Sequence, residues 1–339
     1  MAQSLAVKYR PQTFNEVCSQ SSVITILRKQ LELKNYTNCY GFFGPSGCGK
    51  TTLARIFGNA INQGKGNIIE IDGASNNGVE AIRSIIDEAN QRSLDSEYKI
   101  YVIDECHMIT NAGWNAFLKT IEEPPKYTIF MFCTTNPEKI PATINNRIMR
   151  FNLSKVDTTL IKNRLMYICQ QEGFINYEDS CDYLSKLCNG GVRDSIAYLE
   201  KCANYSSDLS IQNVLDCLGD FSYDSFFNLT GALVNQDEAE VLMTIESYYN
   251  SGRDLKLFIE QYLDFGLDLA KYCLFKNMSV VKIPSNLENR CNGFASIPNI
   301  LNWVNNLVES LLNIKNMIRN DVNSKSTIEV LFIKICRGL

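Results

Sequence analysis

The chain has 339 residues and 45% hydrophobic content, enough to furnish cores for two or three domains. Thirty-three Lys and Arg against 37 Asp and Glu leave a formal charge of −4, which excludes bulk electrostatic attraction to nucleic acid and makes any such contact local. No apolar stretch reaches the roughly 20 residues of a membrane span and the start has no basic-apolar-cleavage pattern, so a cytoplasmic protein without membrane contact is expected. The 13 cysteines never fall at C-x-x-C spacing, and His107 is the one histidine. Reduced thiols serving as small hydrophobes are expected, with neither zinc nor disulfides.

Taken in chain order, a helical pattern over Val23 to Leu33 precedes the apolar run Cys39-Tyr40-Gly41-Phe42-Phe43, which reads as a buried strand. That strand leads into Gly44-Pro45-Ser46-Gly47-Cys48-Gly49-Lys50-Thr51, a match to the P-loop pattern at every fixed position, and Thr52 opens a helical run to Phe57. Strand, glycine loop and helix in that order make a phosphate cradle. Glycines 44, 47 and 49 let backbone N–H groups approach the phosphates at the positive end of the helix. Lys50 then reaches the β/γ-phosphates of ATP, and Thr51 holds Mg²⁺ through its hydroxyl. The other loop residues, Pro45, Ser46, Cys48 and Thr52, complete the nucleotide-binding set.

Asn67 to Ile71 reads as a second strand and Val79 to Asn90 as a helix. Lys99 to Ile103 is a further apolar strand, and it ends in Asp104-Glu105-Cys106-His107. A carboxylate at such an edge can anchor the Mg²⁺ shell while the next polarises a water, so Asp104 is assigned to the metal and Glu105 to the water. A helix from Ala112 to Ile121, a strand from Thr128 to Cys133 and a short strand near Arg150 to Leu153 continue the alternation. Strands separated by crossover helices predict an α/β core, a parallel sheet covered on both faces, of the P-loop NTPase kind.

After Leu153 the strands stop. Thr158 to Gln171, Tyr177 to Cys188, Val192 to Tyr205 and Ile211 to Leu218 read as helices, and Gly219-Asp220 as a hinge. The remainder is helical in pattern, with Val304, Leu307, Leu311, Ile314 and Ile318 on one face and Lys276 to Ile297 as the most loop-like segment. The expected divisions are 1–153, 154–220 and 221–339. The letters D-E-C-H also invite a helicase reading, but that requires a second strand-rich motor domain, and residues 220–339 lack such a pattern.

The opening Leu5-Ala6-Val7-Lys8-Tyr9-Arg10-Pro11-Gln12-Thr13-Phe14-Asn15-Glu16-Val17 resembles that of clamp-loader ATPases. Two further segments, Glu70 to Arg83 and Trp114 to Pro125, resemble the gamma/tau subunit family of bacterial DNA polymerase III, with the replication factor C small subunits more distant. The resemblance covers roughly residues 4 to 205. It implies an AAA+ core over 1–153, a helical lid over 154–220 and an all-α collar over 221–339. It further implies an ATPase motor that opens a sliding clamp and loads it on primer-template DNA within a five-membered ring of loader subunits, in a bacterial cytoplasm or a host cell if viral. The rivals are a catalytically silent stator of the same complex and another DNA-associated AAA+ ATPase. Complete motor motifs weigh against the first, and the Asp72 to Arg83 and Trp114 to Pro125 segments against the second.

The same resemblance assigns single residues. Thr135 and Asn136, after the fourth strand, correspond to sensor 1. Arg147 in Asn146-Arg147-Ile148 corresponds to the finger that enters a neighbour's ATP site, although the adjacent serine and cysteine of the family motif are replaced. Arg193 corresponds to sensor 2. Tyr9, Arg10 and Pro11 fall where the family wraps the adenine, and Asn77, Gly78 and Arg83 where it grips DNA phosphates. Two departures are expected: Ile61 to Asn67 leaves no room for the family's four-cysteine zinc module, and no tau-type extension follows residue 339.

Overall fold

The computed structural model of the chain describes residues 3–66, 68–93, 95–318 and 324–338. It packs as two compact units, Met1–Ile168 with Cys188–Glu200, and Cys169–Leu187 with Lys201–Leu339. The span 154–220 is thus divided between them.

The first unit holds a five-stranded sheet of β1 (Cys39–Phe43), β2 (Ile69–Asp72), β3 (Lys99–Asp104), β4 (Thr128–Thr134) and β5 (Met149–Asn152), in the order β2-β3-β4-β1-β5. Every pairing is parallel, which forces each connection to cross over and buries both faces. Alternation along the strands supplies the two layers. Tyr40, Phe42, Ile100, Val102 and Met131 pack with Leu27, Leu53 and Phe57 on one face. Phe43, Tyr101, Ile103, Phe130 and Phe132 pack with Ile82, Trp114 and Phe117 on the other. Because β1 lies between β4 and β5 while β3 flanks β4, the loops after β1, β3 and β4 gather at one carboxyl edge, where open α/β sheets bind ligands.

Strand limits carry the site. β1 spans the expected residues; β3 and β4 each run one residue further, so that Asp104 and Thr134 are strand ends. β2 occupies Ile69–Asp72, and Asn67 of the expected strand lies outside the described residues. Beyond β2, Gly73 donates its N–H to Asp104 O at 2.7 Å, and a Cβ at Gly73 would stand 2.8 Å from Glu105 O and 2.9 Å from Asp104 O. Only glycine lets the end of β2 press this closely on the backbone of the two acidic residues.

The second unit is helical. Helix Leu255–Phe275 buries Phe258, Tyr262 and Leu269 in one cluster with Val304, Leu307, Leu311, Ile314 and Ile318 of helix Ile300–Ile318, so the apolar stripe is core. Two sequence expectations change here. The loop-like stretch contains helix Glu288–Ala295, which Asn289, Asn292 and Gly293 disfavour locally. Tertiary contacts hold it: Cys291 is buried, and Tyr272 Oη donates to Asn292 Oδ1 at 2.9 Å. The expected hinge at Gly219-Asp220 is a turn with buried partners. Gly219 (φ 76°) stops helix Ile211–Leu218, and buried Asp220 accepts from Tyr183 Oη at 2.6 Å and from Gln261 Nε2. No helix among the described residues is long and apolar enough to cross a membrane. The cysteines are free thiols, most of them buried, and burial pushes the Cys39 thiol up to about 12.

Candidate nucleotide site

The glycine loop is shaped by what lies against it. Gly44 N donates to Thr134 O at 3.2 Å, fastening the end of β1 to the end of β4. Gly47 takes φ 70°, and a Cβ there would stand 2.9 Å from Gly191 Cα, while Val192 N donates to Gly47 O at 3.2 Å. Gly49 (φ 100°) caps helix Lys50–Ile61, whose first amides open toward the loop. Gly47→Ala is expected to cost about 1–3 kcal/mol from its left-handed backbone alone, and to weaken nucleotide binding as the loop shifts off Gly191. A nucleotide-induced rise in thermal midpoint equal to that of the unmodified chain would count against this account.

Lys50 is 7% exposed, and its Nζ donates to Gly44 O at 3.0 Å and Pro45 O at 2.9 Å. These are carbonyls of its own loop, so the ammonium is held in the mouth of the cradle. Thr51 Oγ1 donates to Asp104 Oδ2 at 2.7 Å, and Glu105 N donates to Asp104 Oδ1 at 3.0 Å. A hydroxyl and a carboxylate therefore converge on one point at the head of the helix. Two hard oxygens so placed fit Mg²⁺, which keeps several waters and takes few protein ligands.

Glu105 stands just off β3 in the left-handed region (φ 44°), unfavourable for a residue with a side chain. Its Oε2 accepts from Thr135 Oγ1 at 3.3 Å and lies 3.1 Å from His107 Nδ1. Asn136 is tied in by its N–H, which donates to Thr134 Oγ1 at 3.0 Å.

A cleft of about 360 Å³ collects Tyr9, Arg10, Pro11, the loop from Ser46 to Thr52, Asp104, Glu105 and Arg193. Val7, Val17, Val156 and Ile196 give it an apolar wall of the kind a base needs beside a polar end for phosphates. Arg10 Nε donates to Thr52 Oγ1 at 3.4 Å. Burial, then the neighbouring Arg55, lowers the Arg10 pKa, with Glu70 opposing. Glu70 also lines the cleft and pairs with Arg55 at 2.6 Å. Arg164 lines it too and donates to Tyr9 O at 2.6 Å, fixing the N-terminal segment over the opening. Sequence reasoning missed both as site residues: Arg164 belongs to no motif, and Glu70 opens the Glu70 to Arg83 segment without a role assigned to it.

The remaining assigned residues lie elsewhere. Arg147 Nη2 pairs with Glu122 at 2.7 Å and its Nη1 donates to Thr143 O at 2.6 Å, away from the cleft lining. Gly78 caps helix Val79–Ala89 and Arg83 is exposed on it. Asn77 is used within its loop: its carbonyl accepts from Thr110 N and Oγ1, both at 3.1 Å, and its Nδ2 donates to Ala74 O at 3.3 Å.

The chain is similar to known proteins. Residues 65–157 match the family described as DNA polymerase III, delta subunit, and residues 209–337 match DNA polymerase III subunits gamma and tau domain III. The chain is 33% identical to DNA polymerase III subunit tau of Bacillus subtilis over 292 residues, covering 80% of this chain and 52% of that protein. It is 31% identical to DNA polymerase III subunit gamma of Buchnera aphidicola over 285 residues, covering 78% of this chain and 79% of that protein. It thus spans about half the length of the tau relatives it matches. Among solved structures, the Thermotoga maritima RuvB Holliday junction branch migration motor aligns with a TM-score of 0.54 at 16% identity, over 66% of this chain and 79% of that one, a likeness of AAA+ fold. Since identity at this level extends over most of the Buchnera subunit, and family matches fall on both the sheet unit and the helical unit, the chain belongs to the gamma/tau subunit family of DNA polymerase III.

Proposed function

We propose that this chain is the ATP-hydrolysing motor subunit of a sliding-clamp loader, acting in the cytoplasm in a five-membered ring with other loader subunits to open a clamp and place it on primer-template DNA. The observation that carries this reading is the Thr51–Asp104 contact of 2.7 Å in the cleft that Lys50 and Glu105 also line. A silent stator has no use for a complete hydrolytic set.

Lys50 and the loop amides bind the β/γ-phosphates, and Thr51 with Asp104 holds the metal. Mg²⁺, when bound there, neutralises charge on the phosphate oxygens. Glu105 orients the attacking water and takes up its proton, with Thr135 and Asn136 steadying that end of β4. Arg193 reaches the phosphates from its helix, and Arg147 serves the neighbouring subunit's site. Tyr9, Arg10 and Pro11 close over the adenine. Asn77 and Gly78, through backbone amides, and Arg83, through its guanidinium, grip DNA phosphates without reading bases. In this reading 1–153 is the nucleotide core, 154–220 the lid and 221–339 the collar, and zinc has no part.

ATP-dependent retention of a labelled clamp on primed circular DNA, measured with the assembled complex, tests the function; retention that proceeds equally without ATP would refute it. Lys50→Ala tests the site, because it removes the charge that neutralises the phosphates. Nucleotide titration should show binding lost, and wild-type affinity would remove the P-loop assignment.

A further inference from the structure

His107 is the one histidine of the chain, and none of the roles above uses it. It lies in the 3₁₀ turn Cys106–Met108 directly after Glu105, with its side chain only 10% exposed. Its Nδ1 stands 3.1 Å from Glu105 Oε2 and 3.0 Å from Thr134 Oγ1. Thr134 ends β4, and its hydroxyl oxygen is the acceptor for Asn136 N–H. Next to it, Thr135 Oγ1 donates to the same Glu105 oxygen. One imidazole therefore touches both the acid proposed to handle water and the strand end that carries Thr135 and Asn136.

The groups around the ring assign its hydrogen. A nitrogen lone pair at 3.1 Å from a carboxylate oxygen is repelled, whereas Nδ1–H is attracted, so Nδ1 carries hydrogen and donates to Glu105 Oε2. Thr134 Oγ1, already accepting from Asn136, turns a lone pair toward the same hydrogen. Two donors, His107 and Thr135, then act on one carboxylate oxygen and leave Oε1 for the water. The backbone alone does not hold this arrangement, because Glu105 sits in the left-handed region.

We infer that His107 is a positioning residue for Glu105, fixing its carboxylate through Nδ1–H and coupling it to the end of β4. This rests on the reading of Glu105 as the water-handling group. His107 does not line the nucleotide cleft, so its loss acts on turnover rather than on binding. Loss of a general base costs about 10²- to 10⁴-fold; misorienting one that remains costs less, about 10- to 100-fold.

The test is steady-state ATPase of the full chain in its assembled complex. His107→Ala should lower kcat about 10- to 100-fold with KM for ATP and nucleotide affinity unchanged. His107→Asn, which places an N–H donor near the position of Nδ1, should recover most of the loss, and His107→Leu, similar in bulk without a donor, should not. In a Glu105→Gln background His107→Ala should add nothing, since its effect passes through the carboxylate. Unchanged kcat in His107→Ala, equal loss in the Asn and Leu variants, or a further loss in the Glu105→Gln background would overturn the inference. If Glu105→Gln alone keeps wild-type turnover, the role of Glu105 fails and the inference falls with it; if that variant is dead and His107→Ala is not, only the inference falls.

Discussion

Glu105→Gln is expected to stop ATP turnover while leaving ATP and Mg²⁺ binding intact. The two functions are separated in space, because the metal-holding pair is Thr51 Oγ1 with Asp104 Oδ2, and Glu105 reaches Asp104 only through its backbone N–H. Glutamine keeps the shape, and its amide oxygen can still accept from Thr135. What it cannot do is take up the proton of an attacking water, and loss of that step costs about 10²- to 10⁴-fold. Single-turnover hydrolysis and nucleotide titration on the same preparation decide the matter. A normal rate removes Glu105 from the mechanism, and lost ATP affinity shows that its carboxylate serves binding instead.

The part of this site legible in the sequence is the part made of neighbours. Gly44 to Thr51 carries its own context, since an apolar run before it and a helical run after it fix where the loop must turn. Asp104 and Glu105 are legible for the same reason, as the end of an apolar run. The pattern places the ends of β3 and β4 one residue short because polar Asp104 and Thr134 break the apolar run that marks a strand, although both keep their place in the sheet. Contacts between distant residues leave no such trace. His107 and Thr134 are separated by 27 positions and Arg164 and Tyr9 by 155; only the packing of β3 on β4, or of helix Thr158–Glu172 against the N-terminal segment, brings each pair together. Asp220 misled in the opposite direction. A glycine followed by an aspartate reads as an exposed bend, and the buried partners that make it a corner, Tyr183 and Gln261, lie 37 and 41 residues away.

Arg147→Ala is expected to leave the nucleotide affinity of a separated subunit unchanged while cutting the ATPase of the assembled ring by about 10³-fold or more, the scale of an arginine finger. In its own chain Arg147 is outside the nucleotide cleft, where Lys50 and Arg193 already supply cationic charge. Its side chain is 39% exposed and pairs with Glu122, itself 47% exposed. An ion pair this open to solvent contributes only about 0–1 kcal/mol, so Arg147 can leave Glu122 for a phosphate at little cost. Charge that a guanidinium neutralises on transferring phosphoryl oxygens acts in the transition state, which is why the loss should appear in rate and not in affinity. Mixed rings make the argument sharper. Subunits carrying Arg147→Ala keep an intact P-loop, subunits carrying Lys50→Ala keep an intact Arg147, and their interface in one orientation joins the two intact halves. ATPase should return in such mixtures to the extent that those interfaces form. Equal impairment of the isolated subunit, or no recovery in mixed rings shown to assemble, would place Arg147 in a structural role through Glu122 and Thr143 and remove the shared site between subunits.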